Sequence, residues 1–265
     1  MSSSSSPSNI PATIPQNAAY LSSTSSSKKD TPFTLTKQSS MGEYLRSNKS
    51  HVDALKLAHP QIMSLSAKGQ TPHTLWIGCS DSRVSECTAL GCLPGEVFTL
   101  RNIANVMNKE DVSSMSALQF AITVLKVKKI IVCGHTDCGG IWASLKDNSN
   151  HGHDHDHDND HDHAKEEPSS DKEITYLDQW LERVKNVKNN HMDELLKIDD
   201  IDERCKRLVQ LNVLNSINCV KNNKYFKEYH ERGEVQLYGL VYCVESGYLD
   251  QIPLDQNHNE VTSQY

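Results

Sequence analysis

The chain has no apolar run approaching the roughly 18 residues that a membrane-spanning helix requires, so no membrane partner is expected. Its first residues lack a charged stretch leading into an apolar one, so no secretory signal is expected. Positive charge is in deficit: 27 Lys and Arg face 34 Asp and Glu, for a formal net charge of −7. Without a basic face, nucleic acid is not an expected partner. No Cys-x-x-Cys occurs, which removes the Pro-Cys-x-x-Cys half of a zinc nucleobase deaminase, and the spacing of the candidate ligands argues against a zinc finger, which needs two close ligand pairs. Eight cysteines in 265 residues, with no export signal, are too dilute for a disulfide framework. Most therefore read as small buried hydrophobes. Cys133, in Ile130-Ile131-Val132-Cys133, and Cys243, in Val241-Tyr242-Cys243-Val244, look like strand-core residues.

Composition divides the chain. Residues 1–38 are mostly Ser, Thr, Pro and Asn and lack the apolar area to offset ordering entropy; they read as a disordered tail. The tail is Ser-rich and acid-poor, as mitochondrial presequences are, but it contains no Arg. A cytoplasmic location is the expectation, with mitochondrial import the weaker alternative. Residues 39–255 are expected to form one domain, interrupted by a His/Asp-rich low-complexity insertion at 147–171, with 256–265 as a second disordered tail.

Apolar spacing predicts two helical stretches between Met41 and Ser66, broken at His59-Pro60. Thr74–Gly78, Val97–Arg101 and Lys129–Cys133 read as buried strands, and Val235–Val244 as the last one. Helices are expected over 113–127, 139–145, 174–187 and 203–222. Strands alternating with helices give an α/β fold: a mostly parallel central sheet flanked by helices, with function at the carboxyl ends of the strands.

Two short motifs carry the chemistry: Cys79-Ser80-Asp81-Ser82-Arg83 after the first strand, and His135-Thr136-Asp137-Cys138 after the third. Two thiolates and an imidazole are three of the four ligands of tetrahedral zinc, and catalytic zinc sites leave the fourth position to water. Cys138 opens a helix, where free backbone N–H groups favour a thiolate. Asp81 is expected to tune the open position, either aiming a water on the metal or occupying the position itself. Arg83 would hold Asp81 off the metal through a bidentate pair that Lys cannot reproduce. The plainer reading of Asp81 and Arg83 is a loop salt bridge, worth little if exposed. The combination reads as a catalytic zinc centre of a lyase.

Trp76-Ile77-Gly78-Cys79-Ser80-Asp81-Ser82-Arg83, Pro94-Gly95-Glu96, Arg101-Asn102-Ile103-Ala104-Asn105 and Cys133-Gly134-His135-Thr136-Asp137-Cys138-Gly139-Gly140 resemble the signatures of the beta-class carbonic anhydrases, in particular the yeast and fungal branch. The resemblance is dense over residues 40–146 and loose over 174–250. It implies reversible hydration of carbon dioxide to bicarbonate at one zinc per subunit, held by Cys79, His135 and Cys138, with Asp81 as dyad carboxylate or fourth ligand. It implies a homodimer or a higher even oligomer, with N-terminal helices packed on the partner subunit. Gln70 matches a glutamine that reaches substrate across the dimer interface. Phe98, Ile103, Phe120 and Gly139 match the substrate pocket, with Phe120 where many relatives carry Tyr. Trp76, Arg101 and Tyr242 fall on the positions of a second, noncatalytic bicarbonate site found in some bacterial relatives. Phe98, Phe120, Trp76 and Tyr242 would equally serve as plain core residues.

In the insertion, His151, His153, His155, His157, His161 and His163 are interspersed with Asp. Three readings stay open: a solvated loop, a proton buffer, and a metal reservoir. For the whole chain the rival is a noncatalytic zinc-bearing bicarbonate sensor. A third option is another zinc hydrolase on the same scaffold, such as one acting on carbon disulfide.

Overall fold

The computed structural model describes residues 32–146 and 174–254. The two disordered tails expected at 1–38 and 256–265 lie wholly or largely outside them, as does the His/Asp-rich insertion. The chain divides after Ile62 into two compact units.

Among the described residues of the first unit one long helix, α1 (Met41–Ala58), starts at a capping box. Glu43 N–H donates to the Ser40 hydroxyl, and the Glu43 carboxylate accepts from Ser40 N–H at 2.7 Å. The helix stops where expected, because the residue before Pro60 is sterically pushed out of the helical region.

The second unit is the α/β body. In chain order it contains α2 (Ile62–Ser66, beginning at the junction), β1 (Thr74–Cys79), α3 (Glu86–Leu90), β2 (Val97–Asn102), α4 (Val112–Thr123), β3 (Lys129–His135) and α5 (Gly139–Lys146). After the undescribed segment come α6 (Tyr176–Asn190), α7 (Met192–Leu195), α8 (Ile201–Lys221), α9 (Lys224–Glu231), β4 (Gln236–Tyr242) and β5 (Leu249–Ile252). The five strands form one sheet in the order β2-β1-β3-β4-β5; the first four are parallel and β5 joins the edge antiparallel. The strand expected last is therefore followed by another, too short and too polar to show an apolar run. The short helices α3, α7 and α9 were equally invisible for lack of a full apolar period. The helix expected over 113–127 is α4 and ends at Thr123: the N–H groups of Val124 and Leu125 both return to Phe120 O, and Lys126 sits at φ 57°.

All six residues of β1 are buried, as suits a central parallel strand covered on both faces. Its side chains alternate between two cores. Leu75 and Ile77 join Leu118, Ile122, Val213 and Ile217 from α4 and α8. Trp76 points the other way, into a smaller cluster with Val84, Ile131 and Cys133. Cys133 is a strand-core residue, as expected. Cys243 is not: it lies just past β4, half-buried, with its thiol donating to Glu245 at 3.1 Å, because β4 ends one residue earlier. The strands leave β1 for β2 on one side and β3 on the other, which opens a crevice at their carboxyl ends. Gly134 lets α8 come close there: a Cβ on it would lie 2.8 Å from both Val209 Cγ1 and Val213 Cγ2.

Candidate metal centre

Cys79 is the last residue of β1 and His135 the last of β3, its hydrogen-bonded neighbour, so the two donors emerge side by side at the crevice. Cys138 follows one turn later and caps α5, its carbonyl accepting from Trp142 N–H at 2.9 Å. The two sulfurs are 3.9 Å apart, and all three donor atoms lie within 4.8 Å of one another, buried. Zinc–sulfur bonds of about 2.3 Å at a tetrahedral angle put two thiolates about 3.8 Å apart, so the spacing fits. His135 Nδ1–H donates to Thr136 O at 2.8 Å. That bond fixes the tautomer and leaves Nε2 as a lone-pair donor. Nε2 is buried and has no hydrogen-bond partner, which is the signature of a ligand atom awaiting a cation.

One of the two sulfurs is prepared as a thiolate. The Cys79 thiol is pulled down to about 4, chiefly by its hydrogen bond with Cys138 and against burial, with help from His135 and from the N–H groups of Asp81 and Ala104. The same bond, together with burial, pushes Cys138 up, so without a cation the two sulfurs hold one proton between them. A bound divalent ion would displace it. Burial opposes the charged form of His135, but the neighbouring Cys79 thiolate outweighs it and raises the imidazole. Ala104 reaches Cys79 through a left-handed backbone, φ 60°, in the 3-10 turn Ile103–Asn105. The donor set, its spacing and the orphaned nitrogen all fit tetrahedral zinc.

Asp81 and Arg83 are at the rim. Asp81 Oδ2 lies 3.9 Å from His135 Nε2. Arg83 grips this carboxylate with Nε at 3.0 Å and Nη2 at 2.9 Å, and its own N–H donates to Oδ1 at 2.9 Å. These bonds hold the Asp81 carboxyl down at about 2. The pair is thus the bidentate fork expected. Two further residues, unremarked in the sequence, bear on it. Asp137 takes Arg83 from the other side, through Oδ2 to Nη1 at 2.8 Å and its carbonyl to Nη2 at 2.9 Å, and accepts from Trp142 Nε1 at 3.1 Å. Glu245 accepts from the Thr136 hydroxyl at 2.8 Å, steadying the residue whose carbonyl orients His135. An acid between two ligands was a readable signal for Asp137; nothing local marked Glu245, which arrives from the β4–β5 turn.

Other expected site residues are spread out. Ile103 and Gly139 lie at the crevice, with the Ile103 carbonyl accepting from Trp180 Nε1 at 2.9 Å. Phe98 pairs with Leu75, four residues before Cys79, so it lies roughly 13 Å down the sheet at the strand rise. It packs against Phe120, ring centroids 5.8 Å apart. Gln70 precedes β1, at the end of the sheet opposite the crevice. These three are not brought to Cys79 within one chain. Trp76 is buried beneath Gly78, where any Cβ would overlap its Nε1, and Tyr242 packs in the same cluster. Arg101 donates to Cys79 O at 2.9 Å and Asp81 O at 2.6 Å, bracing the ligand loop from below.

Known proteins resemble this arrangement throughout. A carbonic anhydrase of Candida albicans is 40% identical over 231 residues, covering 86% of this chain and 74% of that protein. A carbonic anhydrase of Saccharomyces cerevisiae is 34% identical over 229 residues, covering 86% and 96%. Among solved structures, a tetrameric β-carbonic anhydrase of Sordaria macrospora superposes with a TM-score of 0.67 at 35% identity, over 80% of this chain and 96% of that one. The β-carbonic anhydrase CafA of Aspergillus fumigatus gives 0.66 at 36% identity, over 79% and 89%. The family model described as carbonic anhydrase matches residues 74–249, from the first residue of β1 to the first of β5. The chain belongs to the carbonic anhydrase family, in its β class.

Proposed function

We propose that the chain catalyses the reversible hydration of carbon dioxide to bicarbonate and a proton, with one zinc ion per subunit held by Cys79 Sγ, His135 Nε2 and Cys138 Sγ. The observation that carries this reading is the buried trio with its orphaned Nε2, faced by the Asp81 carboxylate. Bound there, zinc would bring the pKa of a coordinated water toward neutrality and so supply a nucleophile.

The chain's residues do the rest. Asp81 accepts a hydrogen bond from the attacking water and directs its lone pair at the substrate carbon. Arg83 holds Asp81 in that position and keeps it off the metal. Ile103 and Gly139 give the linear, apolar substrate a dry wall. Gln70, Phe98 and Phe120 complete the pocket from a second copy of the chain, since none reaches the site of its own subunit; the Gln70 amide then steadies a bicarbonate oxygen. The assembly is a homodimer or a higher even oligomer with α1 packed on the partner. Among the described residues no helix is long and apolar enough to cross a membrane, and we place the protein in the cytoplasm without a nucleic-acid partner. A bicarbonate sensor is the weaker alternative, because it has no use for a carboxylate aimed at an open coordination position.

Stopped-flow hydration of carbon dioxide by the zinc-loaded protein tests this. Rapid turnover that Cys79→Ser abolishes together with zinc content supports it; bicarbonate binding without turnover would favour the sensor.

A further inference from the structure

We propose that Asp137 is a positioning residue for the reaction: it fixes the Arg83 guanidinium from the side opposite Asp81, so that the Arg83 fork keeps the Asp81 carboxylate in its place beside the metal ligands. The inference rests on the functional reading above, and its test separates the two.

Arg83 has two carboxylate neighbours with different tasks. Asp81 occupies Nε and Nη2; Asp137 occupies Nη1 with its side chain and Nη2 with its carbonyl. An arginine whose side chain is 42% exposed, held on one edge only, would readily trade its partner for water. Held on both edges it can neither rotate nor withdraw. Bidentate geometry within a network of charges is the case in which exposed ion pairs matter.

The second anchor is itself tied down. Asp137 lies between the ligands His135 and Cys138, so Arg83 is registered directly to the turn that carries them. Its other carboxylate oxygen is taken by Trp142 Nε1 from the first turns of α5. Its backbone sits at φ 53°, a region that Asp and Asn tolerate better than other side-chain-bearing residues. The left-handed turn thus accommodates a carboxylate at a place where glycine would be easier, and that carboxylate points at Arg83 and Trp142.

Charge also matters. Two carboxylates share one guanidinium, which pushes the Arg83 pKa up, with Asp81 the larger contributor and Asp137 the next.

The experiment uses the full zinc-loaded chain. Asp137→Asn tolerates the left-handed backbone and retains an oxygen for Trp142 while removing the charge from Arg83. Asp137→Gly relieves the backbone and removes both contacts. Both variants are expected to keep full zinc content and to lose activity on the order of 10-fold or more, mainly in kcat rather than KM. In an Arg83→Ala background, Asp137→Asn should cause no further loss, since the residue acts only through the arginine. Independently of turnover, nitrogen-15 spectra should show separate, slowly exchanging Arg83 Nη signals in the parent protein, merging in Asp137→Asn. Unchanged kcat and unchanged Arg83 signals in Asp137→Asn would overturn the proposal. So would an equal loss in the Arg83→Ala background, or loss of zinc from both variants, which would make the residue part of the ligand turn alone. If the parent protein hydrates no carbon dioxide, the functional reading fails, while the Arg83 signals still decide whether Asp137 positions it.

Discussion

His135 shows how one side chain is assigned a task by its neighbours. One nitrogen is committed to Thr136 O and the other is left buried without a partner, so the imidazole can present its lone pair only toward the two sulfurs. His135→Ala should leave a protein that folds around a cavity but holds zinc at least 10- to 100-fold more weakly, as a competing chromophoric chelator would report, given that even outer partners of metal ligands are worth that much. Thr136 and Glu245 act at one remove. Thr136→Val deletes the hydroxyl that bridges Glu245 and Val244 N–H, and a several-fold loss of zinc affinity, restored by Thr136→Ser, is the expected outcome. The second bicarbonate site proposed for Trp76, Arg101 and Tyr242 belongs at this scale too. Rising bicarbonate between pH 7 and 8.5 should inhibit noncompetitively if the site operates; simple competitive inhibition, unaltered in Trp76→Phe, would remove it. The buried indole and the two carbonyls braced by Arg101 give these residues structural work in either case.

Among the elements, the junction of β3 with α8 does most to place the site. Val209 and Val213 are β-branched, stiff at χ1, and project from α8 onto Gly134, one residue before His135. Gly134→Ala would overpack this contact and should cost about 1–3 kcal/mol in urea denaturation while pushing the end of β3 away from β1. Pairing it with Val209→Ala should recover part of the loss. The sheet expected from the apolar runs is present, and both ligand loops leave the strand ends assigned to them. What the runs missed was amphipathic or short. β5 is four residues long with two exposed polar residues at its centre and so shows no strand period, and α9 depends on the Asn223 cap and a single buried Phe226 rather than on a full apolar stripe. The overlong reading of α4 has the same origin: Leu125 and Val127 continue the apolar pattern, but the backbone turns left-handed at Lys126 and directs them into the core as loop residues.

For the molecule as a whole the open issue is how a pocket is completed when Gln70, Phe98 and Phe120 stand away from Cys79 in the same chain. Mixing two inactive proteins, Cys79→Ser and Gln70→Ala, answers it. If the pocket is shared between copies, exchanged dimers contain one intact site and activity returns to roughly a quarter of the parent value by random assortment; no recovery after verified subunit exchange would place the whole pocket in one chain. Stripping zinc should also lower the melting temperature, since an ion at 100 times its dissociation constant stabilises the native state by about 2.7 kcal/mol. By itself the sequence determined the α/β class, the parallel strands, the two ligand loops and the family, because each is written in contiguous residues: an apolar run, a Cys-x-Asp-x-Arg, a His-x-x-Cys. Only the tertiary structure decided which acid flanks Arg83 from behind, which residue steadies Thr136, and which pocket residues lie out of reach. Those depend on side chains from separate elements meeting in space, and on the distance a strand covers per residue, neither of which spacing along the chain encodes.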